Sequence, residues 1–430
     1  PPRSTLFPYT TLFRSQPFKL TRRKTMIDRL SHDPKIMEAV DEQANTENIP
    51  RVVVAKMAER YAREIVPSFS ASAYFGFAIR ISKFLATAMY RVRLGFSDDE
   101  ALKNIDPKSA VIFVINHRSN MDYLLVTYLV AERSALSYAV GEWAQVWPLK
   151  QLVRAMGGYF IRRKSRNRLY RKVLARYVQM ATEGGVTQAI FLEGGLSRDG
   201  KLGEPKLGLL SYIIGDFNPD TSKNVVFVPV GLNYDRVLED RVLTAAPVDG
   251  KNKFRFQPSA FVKYMTRQIW LRLTGKFYRN GYACVSFGQP ISLGDYMNSH
   301  SRVEMSELIE NLGGELMGRI GDVVPVLPVS LVSFVILKTD RAMNLLELKA
   351  KCHNTWQTLS ARGVYSHIPH EDEDYAVEVG LRMLTLRDLV TEKDGKYSPA
   401  TDQDNLVEFY ANGIAHHFDN DDLVTLPSKQ

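Results

Sequence analysis

The chain has 430 residues, 45% of them hydrophobic and 24% charged, which is ordinary for a folded protein with room for two or three domains and a sizeable core. Two cysteines, Cys284 and Cys352, exclude a disulfide framework, and no run of 18 or more apolar residues marks a transmembrane helix. The net charge of +9 is uneven: residues 341–430 hold 15 acidic and 9 basic residues, net −6, which leaves +15 on residues 1–340. A basic body suits phosphate-bearing partners such as anionic lipid, nucleotide-like co-substrates or nucleic acid.

Residues 1–15, with TLF repeated and no cap or period, are expected to be a non-native leader. Residues 16–105 carry apolar residues at helical spacing and form an expected N-terminal helical region. Within it, Ser72 to Phe96 predicts an amphipathic helix, with Arg80, Lys83 and Arg91 on one side and Phe77, Ile81, Phe84, Leu85 and Met89 over much of the rest. Such a helix suits a membrane interface or a core-packed position with its cations reaching back to water.

From residue 106 to 322 strand and helix patterns alternate. Strands are predicted at 110–115, 136–140, 159–163, 188–193, 225–231 and 282–288, and helices near 122–132, 147–156, 166–182, 206–215 and 305–320. This alternation predicts an α/β layered domain with a largely parallel sheet flanked by helices, whose ligands lie beyond the carboxyl ends of the strands. Segment 251–280 has eight basic residues, no acidic ones and seven aromatics, a composition open to an anionic membrane surface or to nucleic acid. Residues 323–430 read as a mostly helical C-terminal domain with a hairpin at 391–399, and its acidic balance argues against DNA contact.

The chemistry-bearing stretch is NHRSNMD, Asn116 to Asp122, directly after the apolar run AVIFVI. His117 is predicted at a strand-to-helix corner with Asp122 about one helical turn on, so the carboxylate can accept Nδ1–H and leave Nε2 free to take a proton. On spacing alone such a pair is more often a local cap, and a metal half-site lacks further ligands nearby. No GxSxG or reactive Cys adjoins it, which leaves a substrate hydroxyl as the group to be deprotonated. GGYFIRRKSR places Arg162 and Arg163 at a strand end, on opposite faces, and arginine suits phosphate through its two parallel N–H donors. FLEGGLSRDGKL offers Glu193, a Gly194–Gly195 turn through which backbone N–H groups can approach an anion, and the cations Arg198 and Lys201. VPVGLNYDRV carries Pro229, which suggests a bulge or an edge strand.

In this order NHRSNMDYLL, GGYFIRR, FLEGGLSRDGKL and FVPVGLNYDRV resemble the four motifs of the glycerol-3-phosphate acyltransferase branch of the PlsB/PlsC-type acyltransferases. The resemblance covers residues 106–240 strongly, and more weakly 285–293, the proline-rich run and FYANGIAHH. It implies His117 as general base oriented by Asp122, and Gly194, Ser197 and Arg198 for glycerol phosphate. It further implies Arg162 for the phosphate and Pro229 for the acyl donor or site shape. Leu196 stands where the family usually has arginine, so one expected phosphate ligand is missing, with Arg198, Lys201 or Arg236 as replacements. The implied activity is transfer of an acyl group from acyl-CoA or acyl carrier protein to the sn-1 hydroxyl of glycerol 3-phosphate, the first step of phospholipid synthesis. Lysophosphatidate or dihydroxyacetone phosphate as acceptor, or a non-catalytic membrane scaffold, are the alternatives. No cofactor, metal or nucleic acid is expected. The chain is expected to act as a peripheral protein at the cytoplasmic face of a membrane (the inner membrane in a bacterium) and to lack the long amino-terminal region of the largest members.

Overall fold

The computed structural model describes residues 17–130, 135–141, 145, 149–162, 165, 167–245, 280–339 and 341–418. The expected leader and most of segment 251–280 lie outside the described residues.

Apolar β-branched runs build the sheet: β1 (Arg91–Ser97), β2 (Ala110–Ile115), β3 (Ser137–Gly141), β4 (Tyr159–Ile161), β5 (Gln188–Phe191), β6 (Val225–Tyr234), β7 (Tyr282–Phe287) and β8 (Ile291–Ser292). The strand order is β1-β7-β6-β2-β5-β3-β4, with β8 paired to β6. Strands β6, β2, β5, β3 and β4 run parallel; β7 and β8 join β6 antiparallel, and β1 lies parallel to β7. The largely parallel sheet read from the alternation is therefore present. Its central strands β2, β5 and β6 are buried on both faces, as parallel strands are, while β1 at the edge is partly exposed.

The two-residue period of the strands sorts their side chains between two apolar clusters. Ile112, Val114, Val225 and Phe227 point to one, covered by the helices Arg23–Ser31, Pro34–Glu47, Arg51–Ile65 and Arg168–Glu183. Phe113, Ile115, Val226, Val228 and Val230 point to the other. That second cluster continues without a break into the C-terminal helices Pro328–Lys338, Leu345–Ala361, Glu373–Thr385 and Asp404–Ala415. Each large side chain so buried contributes roughly 1.5–3 kcal/mol, and the shared cluster presses the C-terminal helices onto the sheet face that bears Ile115 and Phe191. The predicted hairpin is present as strands Val390–Lys393 and Lys396–Pro399.

Two expectations need correction. The helix read over 72–96 ends at Met89, and Arg91 to Ser97 form β1. The alternation RVRLGFS is a strand pattern that the preceding helical run masks. The helix, whose first turns (Ser72–Ala78) are π-type, buries the small residues Ala78, Ser82 and Ala86, and leaves Phe77 (53% exposed) and Phe84 (61%) outside beside exposed Arg80 and Lys83. Pro229 lies neither at an edge nor in a bulge. Residues 225–230 pair with 110–115 in unbroken register, and on its other side Pro229 meets the gap between β7 and β8, where a missing N–H costs no ladder bond. Its carbonyl still accepts from Gly288 N–H at 2.8 Å.

Candidate active site

The corner after β2 is built from short-range turns closed by long-range bonds. Asn116 locks the end of β2 to β6 through both side-chain atoms, donating to Leu232 O (3.0 Å) and accepting from Leu232 N–H (2.8 Å). The helix Asp122–Val130 begins at the acid itself. Asp122 is fully buried and accepts four hydrogen bonds. His117 Nδ1 (2.9 Å), Arg118 N–H (2.8 Å) and Ser119 N–H (3.0 Å) share Oδ2, and the Tyr234 hydroxyl donates to Oδ1 at 2.6 Å. With three donors on Oδ2 and one on Oδ1, the carboxylate is held in place to accept Nδ1–H from His117, the tautomer that turns Nε2 away from it as an acceptor. The imidazole stacks on Phe191 at 4.0 Å between centroids and meets the edge of Tyr123 at 5.7 Å. His117 is 3% exposed, so its base works where water does not screen it.

Glu193, at the end of β5, accepts His117 N–H at 2.7 Å and Gly203 N–H at 3.0 Å. It braces the corner from below. Burial raises its carboxyl above the ordinary range, and those two N–H bonds pull it back. Gly194 has φ +67°, and a Cβ there would crowd Lys206, so the EGG turn requires its glycine; Gly195 lies half-buried in the same turn. Ser197 N–H donates to His117 O at 2.9 Å, while its hydroxyl folds the loop, donating to Lys201 O (2.9 Å) and accepting from Gly200 N–H (3.0 Å). Arg198 and Lys201 are exposed at the tip of this loop, and Leu196 packs against the apolar cluster that contains Phe191. Arg236, half-buried just beyond β6, has its Nε buried without a partner.

Arg162 directly follows β4, three places from β2 in the strand order, and its side chain is engaged elsewhere. Its guanidinium makes a two-pronged ion pair with Glu64 (2.8 and 2.5 Å) and stacks between Tyr61 and Tyr170. Pro229 sits in β6 opposite Val114, two residues before the corner begins.

Several residues of the corner carry no signal in local sequence. Glu239 accepts Ser119 Oγ–H (2.8 Å) and Asn120 Nδ2–H (3.0 Å) from 120 and 119 residues away. Arg118, 3% exposed, donates Nη1–H to Gly200 O and lies over the Phe409 ring at 5.0 Å. Asn412 donates to Asp199 O at 2.9 Å, and a Cβ on Gly200 (φ +86°) would overlap the Phe409 carbonyl. The helix Asp404–Ala415 thus closes over the 196–201 loop, and the loop over His117. Among the described residues no group of three or more His, Cys, Asp or Glu could hold a metal ion.

The corner thus holds a buried histidine against a carboxylate where a strand passes into a helix. Residues 97–233 match the acyltransferase family model, which defines the class of this domain. Residues 270–426 match the model described as the glycerol-3-phosphate acyltransferase C-terminal region. Together the two matches make this chain similar to glycerol-3-phosphate acyltransferases along both its acyltransferase and its C-terminal segments. Curated relatives named glycerol-3-phosphate acyltransferase include those of Haemophilus ducreyi, 28% identical over 93% of this chain and 50% of the relative, and Pseudomonas putida, 27% identical over 93% and 49%. The chain therefore spans about half the length of the curated relatives it matches. Among solved structures, the 1-acyl-sn-glycerophosphate (LPA) acyltransferase PlsC from Thermotoga maritima is similar at 17% identity, with a TM-score of 0.34 and 69% and 95% of the two chains covered.

Proposed function

We propose that the chain transfers a fatty acyl group from an acyl thioester to the sn-1 hydroxyl of glycerol 3-phosphate, the first step of phospholipid synthesis. The observation that supports this is the four-donor cage around Asp122, which orients the His117 imidazole through Nδ1 and leaves Nε2 available as the base. Nε2 takes the hydroxyl proton as the oxygen attacks the thioester carbonyl. The tetrahedral intermediate then expels the thiolate, and His117 returns the proton to sulfur. Asp122 stabilises the imidazolium between the two transfers, as the acid of a serine-hydrolase triad does. General-base help supplies roughly 10²–10⁴-fold, with positioning of the two substrates and N–H donors on the oxyanion supplying the rest.

The relatives' printed name supports glycerol 3-phosphate as acceptor. Arg198 and Lys201, free-ended at the loop that bonds His117 O, are the cations placed to take its phosphate, with Arg236 a third. Acyl-CoA or acyl carrier protein serves as donor, and no cofactor takes part in the chemistry. Exposed Phe77 and Phe84 flanked by Arg80 and Lys83 support docking on an anionic membrane surface from the cytoplasmic side; no described helix is long and apolar enough to cross a membrane.

The test is thioester consumption with one labelled acyl-CoA and a panel of acceptors, followed by analysis of the acylated position. Glycerol-3-phosphate-dependent release of thiol with sn-1 product supports the assignment. Consumption with lysophosphatidate or dihydroxyacetone phosphate alone moves it to a different acceptor, and no consumption with any acceptor makes the chain a scaffold.

A further inference from the structure

A cavity of about 290 Å³ opens where β1 and β7 begin, lined by Arg91, Arg93, Tyr282, His367, Pro369 and His370. It lies on the sheet face opposite the catalytic corner. The β1–β7 register sets Arg91 beside Tyr282 and Arg93 beside Cys284, so all four share one face. Ala283, Val285 and Phe287, the alternate residues of β7, point the other way into the cluster that contains Phe191, the ring under His117.

Four of the six lining residues are Arg or His and none is acidic. Tyr282 gathers them: the guanidinium carbons of Arg91 and Arg93 lie 5.6 and 5.5 Å from its ring centroid, and the His367 ring meets it at 4.5 Å. Neither guanidinium is ion-paired with a carboxylate among the described residues. Asp235, an acid whose charge interacts with Arg91, uses its two oxygens on Tyr282 N–H (2.8 Å) and Val329 N–H (3.0 Å). His367 Nε2 is buried with no hydrogen-bond partner, an arrangement that costs free energy unless something fills it. Its neighbours His370 and Glu371 hold φ of +60° and +57°, strained values for residues with side chains, and this turn sets His370 on the rim.

Two exposed guanidinium groups of like charge, neither ion-paired among the described residues and one of them donating only to a backbone carbonyl (Arg93 Nη1 to Val92 O, 3.1 Å), stand over one ring next to an unsatisfied imidazole nitrogen. We propose that this cavity is a second anion site that takes a phosphate or diphosphate group, gripped by the Arg91 and Arg93 forks with His367 Nε2 and His370 completing the shell. The phosphate can come from a soluble phosphate ester or from a lipid headgroup, because the recognising chemistry is the same.

The test is isothermal titration of the full chain with inorganic pyrophosphate, and in parallel co-sedimentation with phosphatidate-containing vesicles. Both are run with glycerol 3-phosphate saturating. The double variant Arg91→Ala/Arg93→Ala should weaken pyrophosphate binding by about tenfold or more, and His367→Gln should weaken it less, with thermal melting showing that both variants fold. Loss of vesicle binding with little pyrophosphate binding to begin with identifies the headgroup as the source and supports the site equally. Binding that is unchanged in the double variant, or that disappears when glycerol 3-phosphate saturates the catalytic corner, overturns it.

Discussion

The Tyr234 hydroxyl reaches Asp122 across 112 residues of sequence and donates to Oδ1 at 2.6 Å, inside a core where both side chains are fully buried. This bond leaves Oδ2 to His117 and two backbone N–H groups, so the orientation of the base is set by a residue of another strand. Burial, together with the Asp122 charge, holds the Tyr234 phenol far above its ordinary value, so it donates at every working pH.

Removing that donor should slow the chemistry without erasing it. Tyr234→Phe leaves three donors on Asp122, and we expect kcat to fall by about tenfold at an unchanged acceptor KM, the size of one lost hydrogen bond to a charged group. Asp122→Asn should cost roughly 10²–10⁴-fold, because the amide cannot hold the Nδ1–H tautomer. Steady-state kinetics on the two variants checks the order; equal losses would contradict it.

Arg118 separates stability from positioning. Burial pushes its guanidinium below its ordinary value, and Nε and Nη2 have no partner, so the charge costs folding free energy. Arg118→Met should therefore melt at or above the parent temperature. The 197–201 loop loses its tie at Gly200, and the acceptor KM should rise by about fivefold, the value of roughly 1 kcal/mol. A lower melting temperature with an unchanged KM would assign Arg118 to stability alone.

Arg162 tests the resemblance itself. Its pair with Glu64 is two-pronged, with 40% of the Arg162 side chain and 17% of the Glu64 side chain exposed. Arg162→Ala should lower the melting temperature by a few degrees, for roughly 1 kcal/mol lost, and leave the acceptor KM within about twofold. A large rise in KM would return Arg162 to the phosphate site.

Acid should loosen the seam between the C-terminal helices and the sheet. His417 is buried, its Nε2 lies 3.0 Å from Val324 O, and burial lowers its pKa in the folded chain. The unfolded chain then binds the extra proton first, so the stability from this residue is present above its ordinary value of about 6.5 and is lost as pH falls below it. His417→Gln keeps a donor for Val324 O without the titration, and its melting temperature should vary less between pH 7 and pH 5 than that of the parent.

The sheet and the His117–Asp122 pair were legible because β-branched runs and a one-turn spacing are local signals. Strand β1 was not, because seven residues of alternation follow directly on a helical run that ends one residue earlier. The residues that complete the corner (Tyr234 as a donor, Glu239, Arg118 over Phe409) act across 112 to 291 positions of separation, and no window of sequence contains both partners. For Arg162 the chain offered a good phosphate ligand and gave no sign that Glu64 would claim it. Ser197 likewise reads as a substrate contact, yet its hydroxyl is occupied in folding its own loop.

His117 Nε2 as the base is tested most directly by turnover of labelled acyl-CoA with glycerol 3-phosphate by His117→Ala, alongside melting temperature and liposome binding. We predict that turnover falls at least roughly 10²–10⁴-fold while melting and liposome binding stay close to those of the parent. A His117→Ala protein that still makes the sn-1 product at the parent rate would contradict it.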